Sequence, residues 1–222
     1  MTRYEVLLGY SYLAFQLLVL PTLLQLGNNI LPQPFTVSEI NFLYFAINFI
    51  VTTVVFRRFL AKNGKTFLSN PGSILIKSIY GFIGYWVLNY LVGMVILLIS
   101  TDFYNVNDSA IDAMTNENMA LMSFGTILLA PVAEELLYRG LIFRGLYNKN
   151  HVLGYLISTL AFASLHVVGY IGQYEPAHLA LCLLQYVPAG ICLAWAYAKT
   201  DSIFAPILMH IAINQIGILS MR

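Results

Sequence analysis

Charge is scarce in this chain of 222 residues: Asp, Glu, Lys and Arg together make up 9%, against about 25% in ordinary soluble domains. Hydrophobic residues make up 59%, and the mean hydropathy is +0.75. A soluble globular domain is excluded by that shortage, and an integral membrane protein is expected. Basic runs are missing too; with a formal net charge of +1, nothing offers the positive surface that nucleic acid requires. Cysteine is reduced to Cys182 and Cys192 on one predicted helix. A disulfide needs Cα atoms within about 7 Å, so both are read as small core side chains. Internal repeats are absent, which weakens a transporter built from inverted repeats. The first apolar run lacks a small-x-small cleavage site and holds Pro21, so it is expected to be a retained helix.

Apolar sequence is what the chain has in abundance. A bilayer core takes about 20 mostly apolar residues per helical span, and seven runs qualify: about 6–26, 39–56, 77–100, 120–145, 152–171, 178–198 and 202–220. The expected fold class is all-α, a polytopic membrane bundle of about seven transmembrane helices forming one integral domain. Residues 1–118 are expected to support and 119–222 to carry the chemistry, because spans four to seven hold every intramembrane ionisable residue except tyrosines. Lys and Arg mark the cytoplasmic side. Arg57, Arg58, Lys62, Lys65 and Lys77, then Arg144 and Lys149, then Lys199 occupy alternate loops. Asp102, Asp108, Asp112, Glu117 and Glu175 occupy the others. Arg3 agrees and Arg222 does not, so the N-terminus is expected in the cytoplasm and the C-terminus outside. Asn107-Asp108-Ser109 matches a glycosylation triplet by chance.

Three charges break the fourth run. A charge at mid-bilayer costs several kcal/mol and faces protein or a water-filled cavity, yet Glu134, Glu135 and Arg139 lie within six residues. On a helix Glu135 and Arg139 are i and i+4 and read as a structural pair. Glu134 is left without a helical partner, and an unpaired desolvated carboxylate suits a general base that takes and returns a proton. Tyr138 could donate to it, although packing is the commoner role. Pro131 is expected to loosen the helix around Val132 and Ala133, just upstream of the acids. In the fifth run Phe162 and His166 are four apart, and in the seventh His210 and Asn214 are four apart. At 1.5 Å per residue His166, His210 and Glu134 lie about 21, 13 and 15 Å from their cytoplasmic ends, all in the central zone, so one cavity can gather them. Either histidine or Asn214 taken alone could be only an interhelical bridge. Gly140 and Gly145 suit close helix packing, and His151 and His178 fall at the span boundaries, where solvation is expected.

The motifs "EELLYR", "FASLH" and "HIAIN", in that order, resemble the signature of the CPBP or Abi intramembrane protease family. That family includes type II CAAX prenyl proteases and bacterial proteins linked to bacteriocin processing or self-immunity. The resemblance covers residues 120–220 and implies an endopeptidase with its active site inside the bilayer. Glu134 would activate a water that His166 helps to orient, His210 and Asn214 would stabilise the oxyanion, and Glu135 and Arg139 would support them. Zinc could in principle be ligated by Glu134, His166 and His210, but His-Glu-x-x-His spacing is absent and metal-free catalysis is favoured. The short chain suits the bacterial branch, in a cell membrane, with a peptide or membrane-protein segment as partner. A non-catalytic immunity or partner-binding protein and a proton-coupled transporter are the alternatives.

Overall fold

Caps in the sequence set where the helices begin. In the computed structural model, which describes residues 1–220, Thr2 and Glu5 form a capping box that starts α1 (Arg3–Leu18), and Thr36 with Glu39 does the same for α3 (Val37–Val55). Between them α2 (Leu20–Asn29) carries Pro21 in its first turn. Proline there lacks a backbone donor, and the two helices meet at a 46° bend. The first expected span is therefore a broken one. Next come α4 (Arg57–Ser69), α5 (Pro71–Ile99) and α6 (Val106–Glu117), the last capped by Asn105. The long helix α7 (Met119–Tyr147) is followed by α8 (His151–Leu165), α9 (Pro176–Thr200) and α10 (Phe204–Ser220). Arg222, the exception to the charge pattern, lies outside the described residues.

The fold is an all-helical polytopic bundle with no strand among the described residues. Four helices, α3, α5, α7 and α9, are long and apolar enough to cross a bilayer, and the bent pair α1 and α2 makes a fifth. The remaining two expected spans are the shorter apolar helices α8 and α10, of 15 and 17 residues. At 1.5 Å per residue these reach about 23 and 26 Å, short of the ~30 Å hydrocarbon core. The fifth run was expected to continue to residue 171, but the helix stops at His166 and a 3-10 turn, Val168–Tyr170, follows.

Two segments read as loops are helices. In α4 the side chains of Phe59 and Asn63 turn inward while Arg57, Arg58, Lys62 and Lys65 stay exposed, the layout of a helix lying along a membrane surface. Asn63 accepts from the Ile203 backbone N–H at 2.8 Å and Glu5 from that of Phe59 at 2.8 Å, so α4 is locked to both ends of the chain. α6 covers the opposite face. Its C-terminal Glu117 accepts from the Ser38 backbone N–H at 2.9 Å and from the Ser38 hydroxyl.

Exposure separates the lipid face from the core. α5 shows Ile79, Ile83, Val87, Leu91 and Leu98 to the outside, which only hydrocarbon accommodates at that density. By contrast every residue from Leu136 to Phe143 of α7 is buried. α7 packs on α8 and α9, and α9 in turn on α5, α8 and α10. The charged motif therefore sits in the best-covered part of the molecule.

Candidate active site

The backbone of α7 is irregular on both sides of its glutamates. Gly125–Leu129 and Leu136–Phe143 are wound as π-helix, leaving the ordinary turn Ala130–Glu135 between them. Wide turns of this kind occur frequently at functional sites because they re-aim side chains. Pro131 follows the first wide stretch after Ala130, but Val132 and Ala133, where it was expected to loosen the helix, lie in the regular turn. Neighbouring Glu134 and Glu135 consequently serve different surroundings.

Glu135 is the inward one, with no solvent exposure. Its Oε1 accepts from Arg139 Nη1 at 2.9 Å and lies 2.9 Å from His210 Nδ1. The expected pair with Arg139 is present. Its bond to His210 on α10 had no signal in the spacing, because a contact between residues 135 and 210 follows only from helix packing. Arg139 is equally buried, donates from Nη2 to the Gly190 carbonyl of α9 at 3.2 Å, and stands 4.2 Å over the Phe162 ring. One ion pair thereby ties α7 to α8, α9 and α10.

Phe162 is the hub that the motif spacing did not reveal. Besides Arg139 it carries Tyr138 at 5.8 Å, His166 at 4.8 Å and His210 at 5.6 Å between ring centroids. Tyr138 is thus a packing aromatic; its hydroxyl finds no hydrogen-bond partner among the described residues and does not donate to Glu134. His166, at the C-terminal end of α8, has Nδ1 2.9 Å from the Phe162 carbonyl oxygen. Since that carbonyl can only accept, Nδ1 carries the proton and Nε2 is left with a free lone pair. The other face of the imidazole stacks on Tyr186 of α9 at 4.1 Å and 24°.

Glu134 points the other way, into a cavity of about 450 Å³ that His166, His210 and Asn214 also line. Its side chain is 17% exposed, and its Oε2 lies 3.9 Å from His210 Nε2 with no hydrogen-bond partner among the described residues. Asn214 donates one amide hydrogen to the Thr126 carbonyl at 2.8 Å and keeps the second. All four residues expected to be catalytic thus share one cavity, with the two supporting residues behind it.

The wall also draws on the first 118 residues, through Tyr44 of α3, Tyr85 of α5 and Asp108 of α6. Asp108 accepts from the Tyr186 hydroxyl at 2.7 Å, and Asn107 donates to the same hydroxyl at 3.1 Å, so Asn107 and Asp108 of the glycosylation triplet are turned inward while Ser109 is exposed. Burial pushes the Asp108 carboxyl above the ordinary carboxylate range, and the Tyr186 hydrogen bond partly offsets this. Of the remaining histidines, His151 is exposed on Tyr147. His178 departs from expectation: it is half-buried among Phe103, Tyr104 and Tyr174. Gly140 packs closely on Met1 and Phe59, whereas Gly145 meets only the Tyr10 hydroxyl at 3.8 Å.

A zinc site would need three donors converging on one point. Among the described residues no three His, Cys, Asp or Glu side chains do so.

A polytopic helical membrane protein with a half-buried carboxylate, two histidines and an asparagine around one cavity defines a narrow class. Residues 116–216 match the model of the type II CAAX prenyl endopeptidase Rce1-like family, and the resemblance to CPBP or Abi proteins is shown over that stretch. The chain is 33% identical over 95 residues to the "Putative membrane peptidase YdiL" of Bacillus subtilis, covering 42% of this chain and 34% of that protein. It is 28% identical over 90 residues to the UPF0177 protein YxdF of Lactococcus lactis, covering 40% and 44%. A 24.3 kDa protein of Escherichia coli is 30% identical over 95 residues, covering 41% and 40%. The chain thus spans less than half the length of the curated relatives it matches. No solved structure matches it.

Proposed function

We propose that this chain is an intramembrane endopeptidase that hydrolyses a peptide or membrane-protein segment in a bacterial membrane, with Glu134 as the base and no metal. The observation that carries this reading is the half-buried Glu134 carboxylate, which lies 3.9 Å from His210 in the cavity and has no hydrogen-bond partner among the described residues. Glu134 takes a proton from a water whose other hydrogen points at the free lone pair of His166 Nε2. The hydroxide adds to the scissile carbonyl. His210, held at Nδ1 by Glu135, and Asn214, with its second amide hydrogen, stabilise the developing oxyanion. Glu134 then returns its proton to the leaving nitrogen as the C–N bond breaks, giving one new carboxylate and one new amine. Type II CAAX endopeptidase similarity over residues 116–216 supports the same reaction class.

The test compares peptide termini by mass spectrometry in membranes expressing the wild type or Glu134→Gln at equal levels. Gln keeps the size and hydrogen bonding and removes the base. Termini present only with the wild type are expected. Identical termini overturn the proteolytic reading, and a biological phenotype retained by the variant would then point to immunity or partner binding.

A further inference from the structure

The cavity has a second carboxylate that the hydrolytic reading does not use. Asp108 lines it from α6, and no Lys or Arg among the described residues lines it or pairs with Asp108. The Tyr186 hydroxyl at 2.7 Å fixes the orientation of the carboxylate. The ring of the same tyrosine stacks on His166, so Asp108 stands about one phenol length from the hydrolytic group. The surroundings point the same way. On the face formed by α6 and the adjoining helix ends, Asp102, Asp108, Asp112, Glu117 and Glu175 are acidic, and the chain has no Lys or Arg from residue 78 to 138 or from 150 to 198. Low-dielectric walls around charge of one sign concentrate ions of the other, and a desolvated carboxylate without a counter-charge is complementary to a cation.

We propose that Asp108 is a specificity residue that binds a lysine or arginine side chain of the peptide substrate a few positions from the scissile bond. This rests on the proteolytic reading above. Asp108 does not touch the reacting atoms; it selects which segment is presented to Glu134. Tyr186 orients its carboxylate in the cavity wall, so that a basic side chain of a segment bound beside Glu134 and His210 can pair with it.

The experiment extends the comparison of termini to Asp108→Asn and Asp108→Arg, each first shown to be monodisperse in detergent at wild-type yield. Asn still accepts from the Tyr186 hydroxyl, so only the charge is removed. Glu134-dependent cuts by the wild type are expected to be enriched in Lys or Arg at one fixed position within about three residues of the cut. In Asp108→Asn that enrichment should fall about tenfold, and in Asp108→Arg it should move toward Asp and Glu. Cuts with no basic preference, or a preference unchanged in Asp108→Asn, overturn the proposal while leaving the proteolytic reading intact. Termini identical in the wild type and Glu134→Gln overturn that reading instead, and this inference with it.

Discussion

Arg139 is a fully buried guanidinium shared by Glu135, the Gly190 carbonyl and the Phe162 ring. Removing one partner of a buried ion pair leaves the other charge desolvated and costs about 3–5 kcal/mol. Arg139→Ala is therefore expected to lower folded yield and thermal stability in detergent, with His210 losing its support as Glu135 relaxes. Unfolding followed by tryptophan fluorescence checks it, and a variant as stable as the wild type refutes it. Tyr186 acts more locally. Tyr186→Phe keeps the stack on His166 and loses the bond to Asp108, whereas Tyr186→Leu loses both. If the stack positions the imidazole, turnover of a cleaved peptide should fall about 10-fold in Phe and about 100-fold in Leu, with the histidine tautomer seen by 15N NMR altered only in Leu. The paired charge and the unpaired one were legible in the sequence because they follow from i,i+4 geometry. The Glu135 to His210 bond, the Phe162 hub and Tyr186 were not, because each joins helices whose packing the spacing does not fix.

At the level of elements, apolar length identifies most of the spans, and it misreads the segments between them. Both α4 and α6 are rich in charge, so they register as loops, although each turns a few residues inward at helical spacing. The link from α6 to α3 depends on protonation. Its Ser38 hydrogen bonds hold the Glu117 carboxyl below its ordinary value of 4.5. An acid depressed in the folded state contributes stability above its unfolded value that is lost as pH falls. The α6 cover should accordingly loosen as pH drops below about 4.5, seen as faster hydrogen exchange in residues 106–117, and Glu117→Gln should show no such step. Helix approach gives a second test. A Cβ on Gly190 would stand 2.6 Å from Thr159 Cγ2 and 3.1 Å from Thr159 Cα, so Gly190→Ala must push α9 from α8. Overpacking of that kind costs about 1–3 kcal/mol and would displace the carbonyl that receives Arg139. A lower Tm for Gly190→Ala checks it.

Across the whole molecule, charge is divided by face. Lys77 Nζ donates to the Lys199 carbonyl at 3.0 Å, and Arg144 pairs with Asp201 at 3.1 Å while standing 5.8 Å over Phe59. These contacts gather α4, the start of α5 and the ends of α7 and α9 at one basic end, with the acidic α6 cover at the other. Lys and Arg bias sets orientation in membranes, so the basic end should face the cytoplasm and the Asp108 side of the cavity the exterior. Single cysteines report this directly, because native Cys182 and Cys192 are both buried and should stay silent. An impermeant maleimide added to intact cells should label Asp102→Cys but reach Lys65→Cys only after lysis. The reverse pattern would turn the molecule over and require substrates to reach Asp108 from the cytoplasm. Labelling of both in intact cells would mean that the two charged ends do not lie on opposite sides of the bilayer. With the expected pattern, a basic segment is drawn to the acidic face from outside, while Glu134 on α7 waits deeper in the same cavity.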